Sequence, residues 1–471
     1  MPVSTTDAID KFRGRPGKIA SYNSMVPNKM RAAAFIAILF LTSIFCQVDR
    51  ILPFILAEAI KKDLDLSDTQ IGLMTGIAFA ACYTLLSLPL ARAADRGSPR
   101  LVLVSCILVW SMMTAMGGFA GSFGLLAATR FGVALGEAGA IPSAHALIAR
   151  RIGPKRRGMA IAIFSMGIPV GTMVGFAAGG AIADRLGWRM SLLGAGAAGG
   201  VVACLVWFVT GPTPSLSPAP LVKEPAFQIS RRLVTMPAFR WLILGSTALG
   251  FASAAFYAFT APFLMRTHGY SAGEVGMSFG LLQGGMGIIG TLAGGRFFDR
   301  AVRANSPRLL GPPSILLILA GVTTTAALFV STGPLSIALF VPGMLSFAFL
   351  LPGAFGAAHL IAGAGHQAMA SSLLLIGSGL FGPAIAPLFV GMVSDWASVN
   401  AIPNGLGLGL LIAPVASVLA GLAMRVADRR IGQDSRISLS RSDQPPPPPR
   451  SGERPPPSTP CPGSLHQAAE E

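Results

Sequence analysis

Residues 90–100 read LARAADRGSPR, 179–189 read GGAIADRLGWR, 294–300 read GGRFFDR and 391–396 read GMVSDW. Each is a small-residue approach that closes an apolar stretch and reaches an acidic residue: Asp95, Asp184, Asp299 and Asp395. The first and third acids lie 204 residues apart and the second and fourth 211, while within each half the separations are 89 and 96. A spacing that recurs at two levels is what two halves leave behind when each is a pair of three-helix repeats, the arrangement that underlies alternating access.

The chain around these signatures is built for lipid. Of 471 residues, 52% are hydrophobic and only 12% charged, which excludes an ordinary soluble surface. Apolar runs such as 32–48, 101–119, 241–265 and 315–330 recur between short charged or Pro/Gly-rich breaks. About 20 residues rising about 1.5 Å each cross the hydrocarbon, so the runs predict membrane-spanning helices. Splitting at the breaks gives helices near 31–58, 69–94, 100–120, 123–149, 158–183 and 188–210, then 240–266, 273–297, 309–331, 334–361, 368–394 and 403–426. The expected fold is therefore all-α, with twelve transmembrane helices in two six-helix bundles. Its parts are an N-terminal cytoplasmic segment (1–30), a first bundle (31–210), a polar, Pro-rich linker (211–239), a second bundle (240–427) and a disordered tail (428–471) that holds five consecutive prolines.

The net charge of +16 does not point to nucleic acid, because the 36 Lys and Arg are dispersed through short loops. With the N-terminus inside, 22 fall in cytoplasmic segments before the tail and five in the opposite loops, so the positive-inside rule places both termini in the cytoplasm. The first 30 residues lack the apolar stretch of a cleavable signal peptide. The cysteines have no paired or metal-type spacing, and neither a metal nor any other cofactor is expected. GAGAAG at 194–199 matches a dinucleotide fingerprint but sits inside an apolar span with no preceding strand; it reads as helix packing. There is no phosphate-cradling loop and no nucleophile elbow, so the chain does not read as an enzyme.

The pattern Asp95, Arg96, Arg100, echoed by Asp299, Arg300 and Arg308, resembles the loop signature of the major facilitator superfamily, with Ala91 where that family usually has glycine. The resemblance implies a cytoplasmic gate made by Asp95, Arg96, Arg100, Asp299 and Arg300; basic anchors obeying the positive-inside rule are the plainer alternative. VDRILPFIL (48–56), LSDTQIGLMTGIAFA (66–80) and RFGVALGEAGAIPSA (130–144) narrow the resemblance to the Spinster-type branch, most strongly in the first six helices. What that implies is a bacterial inner-membrane carrier of lysolipids or sphingoid lipids.

Independently of any family, an ionisable residue inside a span costs about 2.5–3.5 kcal/mol on insertion scales and so needs a partner or a function. The sequence has four: Asp49, Arg50, Arg130 and Glu137. Helix geometry puts Asp49 about 13 Å, Arg130 about 10 Å and Glu137 about 21 Å from the outer surface, so the helix 1 pair sits between the two helix 4 charges in depth. One reading is two structural ion pairs, Asp49 with Arg130 and Glu137 with Arg50. The other is a proton site, since burial favours a neutral carboxyl and a neighbouring guanidinium the charged one. Resemblance to Spinster carriers points to Asp49 and Glu137 as proton sites and Arg50 as their partner.

The second half holds no such intramembrane charge, while helix 7 carries Phe251, Phe256, Tyr257, Phe259 and Phe263. A cavity between a charged and an aromatic half suits an amphipathic anion, head on Arg50 or Arg130 and tail against Phe256 and Tyr257. His145, two turns below Glu137, extends a candidate proton path. The expectation is a monomeric, proton-linked carrier of a small amphipathic substrate surrounded by membrane lipid. The alternatives are a proton/drug antiporter for cationic amphiphiles and a non-transporting sensor or scaffold.

Overall fold

The computed structural model describes residues 28–211 and 226–442, apart from 305, 307, 364 and 365. The expected N-terminal segment therefore lies almost wholly outside the described residues, as does the part of the tail beyond Ser442 that holds the prolines.

In the first half α1 is Asn28–Leu64, α2 comprises Asp68–Thr75 and Ile77–Arg96, and α3 is Pro99–Gly117. Next, α4 comprises Phe123–Ala138 and Ala140–Arg151, α5 comprises Pro154–Ser165 and Gly167–Leu186, and α6 is Trp188–Thr210. In the second half α7 is Pro237–His268, and α8 comprises Ala272–Val275, a π-helical turn Gly276–Gly280 and Leu281–Arg303. Then α9 is Gly311–Ala327 and α10 is Gly333–Ala362. Finally, α11 comprises Gln367–Ile376, a second π turn Gly377–Phe381 and Gly382–Val399, and α12 comprises Gly405–Leu410 and Ile412–Ser442.

Eleven of these are long and apolar enough to cross a membrane; α9, with 17 residues, is apolar but shorter. Within the expected linker an amphipathic helix, Ala226–Thr235, packs Ile229 and Leu233 inward and leaves Arg231 and Arg232 exposed. The last helix continues past the expected bundle end at 427 to Ser442, through Gly432.

The halves repeat one packing plan. In the first, α1 lies on α5, α2 on α4 and α3 on α6; in the second, α7 lies on α11, α8 on α10 and α9 on α12. The outward faces of α6, α9 and α12 carry apolar ridges: Val201, Leu205 and Phe208; Ile315, Leu319 and Val322; Val415, Leu419 and Leu422 are all exposed. Spacing of three and four residues puts each trio on one helix face, a surface that only lipid can satisfy. The protein is a multi-pass membrane protein.

The halves meet along two seams, α2 with α11 and α5 with α8, with α1 against α7 between them. Glycine makes the first seam possible. A Cβ on Gly72 would lie 2.4 Å from the Pro387 carbonyl oxygen, and one on Gly391 would lie 2.2 Å from that of Asp68. At that same end, called here the Asp68 end, Arg266 of α7 places its guanidinium on Asp68, at 2.6 Å from each carboxylate oxygen, and also bonds Glu58 of α1. Lys61 adds a 2.6 Å bond to the same Asp68 carboxylate.

Candidate functional site

The four intramembrane charges converge halfway along the first half, where α1, α4 and α2 meet. Glu137 is fully buried because α4 lies unusually close to α3: a Cβ on its neighbour Gly136 would come within 2.7 Å of the Cys106 carbonyl and the Trp110 amide. Arg50 donates to Glu137 Oε2 from Nε at 3.1 Å and from Nη2 at 2.7 Å. Its guanidinium also lies over two rings of α2, Phe79 at 4.9 Å and Tyr83 at 5.1 Å, which stack on each other at 5.8 Å. A delocalised cation on aromatic faces keeps its remaining N–H groups directed at the cavity, where an anion can take them.

Arg130 does not pair with the Asp49 side chain. Its Nη1 donates instead to the Asp49 main-chain carbonyl at 3.3 Å, and its guanidinium approaches Phe79 at 5.9 Å. Asp49 is fully buried, and neither carboxyl oxygen has a hydrogen-bond partner among the described residues. Thr114 and Trp110 of α3 are the polar side chains that face this carboxyl. Of the two ion pairs weighed on the sequence, Arg50–Glu137 is the one formed. A buried carboxylate without a salt bridge is costly, so Asp49 needs a polar neighbour or a function.

The cavity beside these charges encloses about 400 Å³. Arg50, Arg130, Phe79 and Tyr83 form its first-half wall; Ser253, Ala254, Tyr257 and Gly379 form the other. A second lobe of about 300 Å³ adjoins it, sharing Gln47, Ile51, Ser253 and Tyr257.

Tyr257 thus lines both lobes, but Phe256, expected beside it, does not line either. It is 1% exposed and sits in an aromatic cluster with Phe279, Phe340 and Phe347 inside the second half. Adjacent helical residues diverge by about 100°, so Tyr257 facing the cavity turns Phe256 into the bundle. Phe259 and Phe263 are likewise fully buried, and the aromatic wall predicted for α7 reduces to one tyrosine at the cavity. His145 packs edge-on against Phe164 at 5.5 Å, away from both lobes.

Of the residues expected as a cytoplasmic gate, three have described side chains: Arg100, Asp299 and Arg300. Arg100 stacks over Trp207 at 3.9 Å and bonds its carbonyl, both within the first half. Asp299 and Arg300 are exposed, and the side chains of Asp95 and Arg96 lie outside the described residues. Sequence reasoning missed Gln47, Phe79, Tyr83 and Gln283. Gln47 was within reach, since it precedes Arg50 by three residues and shares its helix face. Gln283 gave no signal, because an uncharged amide in an apolar run stands out only once a cavity is seen beside it.

Comparison with known proteins gives a consistent result. The profile of the Major Facilitator Superfamily matches residues 34–387. An MFS-type efflux pump of Mycolicibacterium smegmatis is 36% identical over 391 residues, covering 83% of this chain and 91% of that protein. Protein spinster homolog 1 of Xenopus tropicalis is 24% identical, covering 83% of this chain and 79% of its own. The crystal structure of a bacterial homolog of the human lysosomal transporter Spinster, inward-facing and occupied, superposes with a TM-score of 0.75 at 26% identity, over 88% of this chain and 99% of that one.

Proposed function

This chain belongs to the major facilitator superfamily, on its Spinster-like branch, as a transporter and not an enzyme, and on that premise we propose that it is a proton-coupled carrier of an amphipathic anion, working by alternating access. In this reading α9 completes twelve spans, the two bundles rock about the cavity, and the protein acts as a monomer in the bacterial inner membrane. Both termini are cytoplasmic, the Asp68 end faces outward, and the cavity opens at the opposite end.

The observation that carries the reading is the pairing at the cavity wall: Glu137, fully buried, depends on Arg50, which is about one-third exposed. An anionic head arriving at Arg50 competes for the same N–H groups. As the guanidinium turns to the ligand, the Glu137 carboxylate loses its counter-charge in a buried site, and taking up a proton removes the penalty. Asp49, one residue from Arg50 and in no salt bridge among the described residues, is the second proton site. Arg130 fixes the α1 backbone at Asp49 and lends a second positive charge to the head. A lysolipid or sphingoid-type anion, implied by the Spinster likeness, has the right chemistry for Arg50 and Arg130.

The test is uptake into proteoliposomes driven by a pH gradient, with lysophosphatidate as the probe. Glu137→Gln and Asp49→Asn are expected to keep binding while losing proton-driven accumulation; undiminished coupling in both removes the proton role. The likeness to an efflux pump favours a second reading, export of a cationic amphiphile by proton exchange with Asp49 and Glu137 as its counter-charges. A cationic dye that competes with proton uptake, with no anion doing so, selects that reading.

A further inference from the structure

The second lobe has a chemistry that the charged lobe does not explain. Apart from Tyr257 no titratable side chain lines it, yet Gln47, Thr172, Ser253, Tyr257, Gln283, Thr291 and Ser378 bring seven hydrogen-bonding side chains to its wall. Most are already engaged. Gln47 donates to the Thr172 hydroxyl at 3.2 Å, the Thr172 hydroxyl donates to Ile168 at 3.1 Å, and Ser253 and Ser378 donate to carbonyls of their own helices at 3.3 and 2.9 Å.

Three side chains are left over: the exposed Thr291, and two that are more enclosed. Gln283 is 4% exposed and its Oε1 has no partner. The Tyr257 hydroxyl, between the two lobes, makes no hydrogen bond to a described residue. A buried amide left unpaired costs about 1–3 kcal/mol, so a well-placed amide beside a cavity calls for a ligand group that satisfies it. The lobe has no charge to neutralise an ion, which leaves a neutral group that both donates and accepts: a hydroxyl. Gln47 lies one helical turn from Arg50, within about 6 Å on the same face, so a molecule bound at Arg50 enters this lobe directly beyond its head.

We propose that the second lobe is a distinct subsite for a neutral, hydroxyl-bearing segment of the transported anion, with Gln283 and Tyr257 as the groups that select it. The proposal rests on the anion reading of the neighbouring lobe. It predicts that the carrier discriminates between anions of equal charge and similar length by their hydroxyl groups, a property that a purely apolar tail pocket lacks.

The test measures binding to the purified full-length protein with two matched probe pairs: hexanoate against gluconate, and dodecyl phosphate against lauroyl lysophosphatidate, both below micellar concentration. Wild-type protein is expected to prefer the hydroxylated member of at least one pair by about tenfold, the equivalent of one satisfied buried amide. Preference in the short pair identifies a polyhydroxy acid, and preference in the long pair a lysolipid. Gln283→Leu is expected to bring that ratio close to one while leaving hexanoate or dodecyl phosphate affinity unchanged, which also reports that the variant is folded. Tyr257→Phe, which keeps the ring, is expected to lower the ratio by several fold. Wild-type protein that binds both members of each pair equally, or variants that keep the full preference, overturns the subsite and leaves the anion reading standing. If no anion binds the wild type, or if Arg50→Gln leaves anion affinity untouched, the anion reading fails and the subsite with it.

Discussion

Asp395, near the end of α11, accepts hydrogen bonds from the first turn of α2: Oδ1 takes the Asp68 N–H at 2.9 Å, and Oδ2 takes the Thr69 N–H at 2.8 Å and its hydroxyl at 2.5 Å. The carboxylate caps a helix of the other half, where amide N–H groups are unsatisfied and the helix dipole is positive. Asp184 does the same in the opposite sense, since its Oδ2 accepts the N–H of Gly273 in the first turn of α8 at 2.8 Å. These are two of the four repeated acids, so one device recurs on both seams at the Asp68 end.

Removing that cap shifts the conformational balance. Asp395→Asn keeps the volume and weakens the charge-assisted bonds by about 1 kcal/mol, about fivefold in the closed-to-open ratio of the Asp68 end. Spin labels at the exposed residues Lys62 and Val399, one on each half, report this as a larger population of long distances.

The seam responds to volume as well as charge. At Gly391 an added methyl meets the Asp68 carbonyl carbon and oxygen at 2.6 and 2.2 Å, backbone atoms that cannot step aside. Gly391→Ala is expected to open the same label pair at least as far as the Asp395 variant, while thermal stability of the separate bundles changes little. A closed distance distribution would show that the seam relaxes.

Arg50 and Glu137 stand or fall together. Arg50→Ala leaves Glu137 buried without its partner, and breaking a buried pair costs about 3–5 kcal/mol. Arg50→Met combined with Glu137→Met removes both charges and recovers most of the melting temperature without recovering transport. The comparison of thermal unfolding for the single and double variants checks the pairing apart from its role.

Tyr83 and Phe79 aim the Arg50 guanidinium. Tyr83→Leu removes one of two ring faces, worth about 0.5–2 kcal/mol, and is expected to weaken anion binding by roughly 2- to 30-fold. Titration with lauroyl lysophosphatidate measures it, with Tyr83→Phe, which retains the ring, close to wild type.

What the sequence determined is the part of this protein set by solvent and by repetition. Lipid demands continuous apolar helices, so the spans were legible in composition, and the four acids were legible in their recurring spacings. Intramembrane charges are too costly to be incidental, so Asp49, Arg50, Arg130 and Glu137 stood out before any fold was known. Only the tertiary structure decided which of them pair. Whether Arg130 reaches the Asp49 side chain or its main chain depends on how closely α4 packs on α3, and Gly136 sets that approach through contacts with residues far away in sequence. The direction in which Phe256 and Tyr257 face turns on about 100° of helix rotation. Gln283 acquires meaning from an empty volume formed by six different helices. The seam lock of Asp68, Arg266 and Asp395 joins residues separated by up to 327 positions, and exists only because glycines let the two halves touch.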